Sequence, residues 1–194
     1  MSEPIFNRAA LIPGLNVSRR ASAPISKTIV IGTGIRTQPL WKLPFMGVDR
    51  YFGTVRGLSH DAKFVVDPED GVLKIGDALG GKTNKCVFTP IEEWERGCIE
   101  DGDRVIVGRP FGATDRQLEA GADAWVRDVA GKEYDKVAIS QLALKIVFGD
   151  WISYRVGLYS HFFCTEGVSH ADEVGTKVNA YWPNKNPTPG TTTR

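Results

Sequence analysis

The residue in this sequence best suited to covalent chemistry is Cys164. It lies in the segment HFFCTEGV (161–168), where small polar residues follow an aromatic run and predict the start of a helix. Unpaired backbone N–H groups in a first helical turn stabilise a cysteine thiolate, which is the form that attacks a carbonyl. We therefore interpret Cys164 as a candidate nucleophile. The alternative is an inert buried cysteine, which is commoner behind two phenylalanines, so the prediction depends on a partner base.

Three histidines could serve as that base. His170 follows Cys164 by six residues, which is about 240° around a helix, so it faces away. His161 precedes Cys164 by three residues on a predicted extended segment, which puts the two on opposite faces. By elimination His60 is the best candidate, against the alternative of a surface histidine at a strand end.

The elements around His60 form a predicted hairpin. A strand at 58–66 is followed by the turn sequence DPEDG (67–71) and by a return strand that starts at 72–75. Folding this hairpin about Glu69 brings Asp77 opposite His60 or Asp61. A slip of one residue would turn Asp77 to the other face, and a bulge at Gly76 could restore it.

Composition limits the classes of protein that this sequence can encode. Its 194 residues fit one domain, and 24 Lys plus Arg against 23 Asp plus Glu leave no global charge for binding nucleic acid. The three cysteines fit neither a disulfide framework nor the spacing of a zinc site, so we predict no metal and no cofactor. No run approaches the roughly 18 apolar residues of a membrane span.

The remaining pattern predicts an α+β domain with a curved antiparallel sheet packed against helices. Further short strands are predicted at 28–31, 85–88 and 104–107, a helical turn at 89–94, a helix that starts with a capping box between Thr114 and Gln117, and a second helix at 137–148. Cys86 in a strand and Cys98 in a loop are interpreted as structural. The glycines after the strand at 28–31 lack the third glycine of a dinucleotide loop. We divide the chain into an N-terminal arm (1–27), a domain (28–180) and a flexible tail (181–194).

Several of these motifs, in this order, resemble a known family. They are Leu58-Ser59-His60, Gly76-Asp77-Ala78, TPIEEW (89–94), GKEYD (131–135) and FCTEGV (163–168). The order is similar to that of the permuted papain-like cysteine hydrolases, the YaeF/YiiX type of the NlpC-like superfamily. In that family the Ser-His strand precedes the cysteine helix. The resemblance covers about residues 28–172 and implies a circularly permuted papain-like fold.

The resemblance also implies roles for three residues. Cys164 would be the nucleophile, His60 the general base and Asp77 the residue that orients the imidazole. The family more often has Glu-Ala where this chain has Asp77-Ala78, which shortens the side chain that must reach His60. The implied activity is amide hydrolysis through a thioester, with a cell-wall peptide (peptidoglycan) as the substrate class.

Two other functions fit the sequence. Related permuted members handle acyl chains, and the aromatic stretch 41–52 could line an acyl groove for a lipid hydrolase or transferase. A catalytically silent structural or binding module, such as a phage or particle component, would suit the proline-rich ends. The twin arginine at 19–20 is not followed by the apolar core of a signal peptide. We therefore predict a cytoplasmic protein, or one released by lysis or associated with a particle.

Overall fold

The computed structural model describes residues 5–20, 58–80, 82–110, 112–135, 161–162 and 164–177. The strand predicted at 28–31, the aromatic stretch at 41–52, the helix predicted at 137–148 and the tail at 181–194 lie outside these residues.

The described strands form one seven-stranded sheet. They are β1 (Asn16–Arg20), β2 (Leu58–Val66), β3 (Leu73–Leu79), β4 (Lys85–Thr89), β5 (Arg104–Gly108), β6 (Glu133–Tyr134) and β7 (His161–Phe162). Their order across the sheet is β5-β1-β2-β3-β4-β6-β7. Neighbouring strands are antiparallel except β6 and β7, which are parallel. The described residues also contain three α-helices and a short 3-10 helix (Arg8–Ala10), so the α+β class is confirmed.

The predicted hairpin forms, and β2 has the bounds predicted for it. The N-terminal region differs from the prediction, because residues 16–20 of the proposed arm form a strand between β5 and β2. In this segment Asn16, Val17 and Ser18 are buried. Its backbone pairs with β2 on one side and with β5 on the other. The predicted boundary between an arm and a domain at residue 28 therefore does not separate 16–20 from the sheet.

Each helix has a local cause in the sequence. Helix α1 (Ile91–Asp101) follows Pro90 at its N-cap and ends at Gly102, whose φ of 66° is left-handed. This helix is longer than the predicted turn at 89–94, and it contains Cys98, which was expected in a loop. Helix α2 (Asp115–Asp128) starts with the predicted capping box between Thr114 and Gln117. Helix α3 (Cys164–Thr176) begins at the candidate nucleophile, as predicted.

Both faces of the sheet are covered. On one face Phe64 and Ile75 pack with Trp94 of α1 and with Phe6 from the N-terminal segment. On the other face Val65 and Ala78 pack with residues of α2 and α3, including Trp125 and Cys164. In β2, residues 60–65 are consequently all buried, although the alternation of polar and apolar residues predicted one core face only.

Gly76 is required for packing and not for a bulge. It pairs in regular register with Lys63 on one side and with Phe88 on the other. A Cβ atom at this position would lie 2.8 Å from ring carbons of Trp125. Glycine therefore lets the Trp125 ring of α2 lie directly on the backbone of β3.

Among the described residues, no helix has both the length and the apolar character that crossing a membrane would require.

Candidate active site

His60 and Asp77 are in direct contact. The Nε2 atom of His60 lies 2.5 Å from Oδ1 of Asp77, and both side chains are buried. The β2–β3 ladder pairs Lys63 with Gly76, and continuing this register puts Asp77 beside Ala62. His60 is then the diagonal neighbour of Asp77 on the same face. The observed register differs from the predicted one, which put Asp77 opposite His60 or Asp61.

Cys164 is the first residue of α3 and lies near His60. Its side chain raises the pKa of the imidazole through hydrogen bonding and charge. The structure therefore brings together Cys164, His60 and Asp77, the three residues that the sequence suggested.

The charge on His60 is determined by its neighbours. Burial by itself would lower the pKa of His60, but the Asp77 carboxylate, through its charge and hydrogen bond, and Cys164 raise it. The resulting pKa is about 10, compared with 6.5 for an ordinary histidine. At neutral pH the imidazole therefore carries a proton, and it can stabilise a thiolate on Cys164.

Two neutral groups lie close to this centre. Burial, together with the negative charges of Asp77, Cys164 and Glu166, raises the pKa of Cys86 to about 12. Burial and the charges of Cys164 and Asp77 also hold the pKa of Tyr134 well above its usual value. Both groups stay protonated at neutral pH, so Cys86 has the properties of the inert structural thiol that we predicted. The sequence did not single out Tyr134.

The other histidines are bound elsewhere. His161 Nε2 lies 3.2 Å from Glu133 Oε2, and His170 Nε2 lies 3.0 Å from Asp128 Oδ2. Each imidazole thus has a carboxylate partner on a neighbouring element. These contacts agree with the elimination that left His60 as the candidate base.

Asp61 connects the strands to the start of α3. Its Oδ1 accepts a hydrogen bond of 2.6 Å from the Ser18 hydroxyl, and its Oδ2 accepts one of 3.4 Å from the Thr165 hydroxyl. Asp61 follows His60 in β2, and Thr165 follows Cys164 in α3. The contact therefore joins the two elements next to the candidate catalytic residues, and Asp61 does not compete with Asp77 for His60.

A buried ion pair holds the same two elements together further along. Lys63 Nζ lies 2.6 Å from Asp172 Oδ1, 2.7 Å from Asn16 Oδ1 and 2.9 Å from the Gly14 carbonyl oxygen. The second oxygen of Asp172 accepts a hydrogen bond of 2.7 Å from Asn16 Nδ2. All three ammonium protons of Lys63 have an acceptor. The sequence contained no signal for this network, because a lysine in an alternating strand normally predicts a solvent-facing position.

Within the described parts of the chain, no group of three or more His, Cys, Asp or Glu side chains is arranged to hold a metal ion. No protein-family model matches this sequence, and a search of curated proteins finds no match. The candidate site therefore has to be interpreted from its own geometry.

Proposed function

We propose that this protein is a cysteine hydrolase that cleaves an amide bond, with Cys164 as nucleophile, His60 as acid and base, and Asp77 as the group that orients His60. The observation that supports it is the direct contact of the His60 imidazole with Asp77, together with the effect on that imidazole of Cys164, the first residue of α3. A thiol is activated by a base that is close to it and that is held in place by a carboxylate.

The proposed reaction has two steps. The Cys164 thiolate adds to the amide carbonyl, and the oxyanion that forms accepts a hydrogen bond from the Cys164 backbone N–H at the start of α3. Protonated His60 gives its proton to the departing amine, which leaves a thioester on Cys164. Neutral His60 then takes a proton from water, whose oxygen displaces the thiolate and releases the carboxylic acid.

Asp77 has a supporting role in this proposal. Its carboxylate holds Nε2 of His60 and so fixes the orientation of the imidazole, and its charge stabilises the imidazolium. Asp77 is 1% exposed, which strengthens its interaction with His60 because little water competes for it. Cys164 and His60 are 2% and 6% exposed, so the reaction requires the site to open for the substrate.

The proposed substrate class is a cell-wall peptide, and the fold on which this depends is the circularly permuted papain-like fold. Both come from the resemblance of the motifs around residues 58–60, 76–78 and 163–168. The arrangement of β2, β3 and α3 is compatible with that fold, since the histidine strand precedes the cysteine helix in the chain.

The test uses purified peptidoglycan as substrate and mass spectrometry of the released peptides as readout. The unsubstituted protein is expected to release peptides with a new amine and a new carboxylate, and Cys164→Ala is expected to release none. Cys98→Ala is the matched control, because Cys98 is also a buried free thiol but lies in α1. Release by Cys164→Ala, or no release by the unsubstituted protein, would contradict the proposal. A long-chain acyl ester assayed in parallel distinguishes the lipid alternative.

A further inference from the structure

A pocket of about 340 Å³ lies between α1 and strands β1, β3 and β4. Asp77, the hydrogen-bond partner of His60, forms part of its wall, and so does Arg19. Arg19 is directly opposite His60 in the β1–β2 ladder, so the two side chains project on the same face. The volume falls within the range of about 300–1,000 Å³ that small-molecule sites occupy. The pocket therefore adjoins the candidate catalytic pair and can hold a small ligand.

Among the residues that the structure describes, Arg19 has unused hydrogen-bonding capacity. Its guanidinium carbon lies 4.5 Å from the centroid of the Trp94 ring, and its polar contact in the described structure is one of 3.5 Å from Nη1 to Asp101 Oδ2. Its Nε atom is buried with no hydrogen-bond partner, and so is Nε1 of Trp94. A guanidinium has five N–H donors, and leaving a buried donor unpaired costs free energy. Two residues that line the pocket thus have unpaired donors.

Gly97 lets the Arg19 guanidinium lie close to the backbone of α1. A Cβ atom on Gly97 would lie 3.3 Å from Nη2 of Arg19, so a larger side chain there would displace the guanidinium. Glycine in the interior of a helix lowers its stability compared with alanine. The guanidinium therefore lies between the Trp94 ring and the backbone of residue 97, at the wall of the pocket.

The rim of the pocket carries charges of both signs. Glu93, Arg96 and Glu100 line it from successive turns of α1, and all three are exposed. The third carboxylate, Asp77, is already paired with His60. A ligand with one carboxylate for Arg19 and one ammonium near the two rim glutamates would complement these charges, whereas a dianionic group would be repelled by the glutamates.

We propose that this pocket binds the end of a short peptide that has a free carboxylate and a nearby ammonium group, with Arg19 as the anchor for the carboxylate. A planar guanidinium binds a carboxylate through two parallel hydrogen bonds, and the Trp94 ring under Arg19 holds it in one orientation. The identification of this pocket as the substrate subsite rests on the proposed hydrolase function. The binding itself does not require Cys164 to react.

The experiment measures binding in Cys164→Ser, which prevents turnover. Its readout is the indole N–H resonance of Trp94 in protein with isotope-labelled tryptophan, assigned by its loss in Trp94→Phe. The probes are glycylglycine, glycylglycinamide and N-acetylglycylglycine. Glycylglycine is expected to shift the Trp94 resonance, and the amide, which has no carboxylate, is expected to bind about tenfold more weakly or worse. The acetylated probe, which has no ammonium, is expected to bind more weakly than glycylglycine.

Two variants test whether the probes bind in this pocket. Gly97→Leu introduces a good helix former whose side chain displaces the Arg19 guanidinium, so it is expected to abolish binding. Ala120→Leu, at an exposed position of α2, is the matched control and is expected to bind normally. The proposal is overturned if the amide binds as tightly as the acid, if Gly97→Leu binds like its parent, or if millimolar glycylglycine causes no shift. Binding without peptidoglycan cleavage would leave this proposal standing and overturn only the hydrolase.

Discussion

His60 is the residue on which the chemistry of the candidate site depends. It is buried in contact with Asp77, and its proton is retained because Asp77 and Cys164 favour the imidazolium. An imidazolium in a place with little water is stable only while Asp77 compensates its charge. The same contact that supports the proposed reaction therefore also contributes to the stability of the fold.

This coupling predicts how stability depends on pH. The pKa of His60 is raised from 6.5 to about 10 in the folded state, so its contribution to the free energy of unfolding is complete below about pH 6.5 and is lost as the pH rises through about 10. We expect urea denaturation to give a free energy of unfolding that falls across this window. In Asp77→Asn the fall should be much smaller, because the carboxylate that raises the pKa is absent. If the free energy of unfolding depended on pH equally in the two proteins, Asp77 would not be the cause of the raised His60 pKa.

At the scale of elements, the position of Cys164 relative to His60 depends on how α3 is held against β2. Two polar contacts join them: Asp61 with Thr165 next to the site, and Lys63 with Asp172 two turns along the helix. Both members of the ion pair are buried, and Lys63 is 0% exposed. Apolar residues of similar size usually give at least as much stability as such a pair, so we regard its role here as fixing the relative position of the two elements.

The ion pair predicts unequal effects of single and double substitutions. Lys63→Met leaves Asp172 buried and without its cation, so it should lower the free energy of unfolding by about 3–5 kcal/mol. Lys63→Met combined with Asp172→Leu removes both charges and should cost clearly less, as measured by urea denaturation. Lys132→Met, at an exposed position, is the control and should change stability by less than about 0.5 kcal/mol. A double variant as unstable as Lys63→Met alone would show that the charge is not the cause.

The elements that the sequence predicted correctly are those with strong local signals. The DPEDG turn determined the hairpin, and the Thr114–Gln117 capping box determined the start of α2. The network of Lys63, Asp172 and Asn16 joins residues up to 156 positions apart, so no local pattern could reveal it. For the same reason the role of Gly76 was misinterpreted, because its packing partner, Trp125, belongs to a helix far along the chain.

For the whole molecule, long-range pairing decides what lies beside the site. The strand order puts β1, from the N-terminal segment, next to β2, so Arg19 lies opposite His60. The sequence pattern predicted the α+β class, and local motifs suggested Cys164, His60 and Asp77 as candidates. They could not predict that residues 16–20 join the sheet, because β propensity in a five-residue segment is weak and its neighbours determine the outcome.

The central claim is that His60 maintains Cys164 as a reactive thiolate. The most direct measurement is the rate of alkylation of Cys164 by iodoacetamide, a reagent small enough for a nearly buried thiol, followed by peptide mass spectrometry from pH 6 to pH 9. We expect Cys164 to react much faster than Cys86 and Cys98 across this range. His60→Ala should abolish the fast reaction, and His170→Ala, the matched control, should not. Equal rates of Cys164 alkylation in all three proteins would contradict the account.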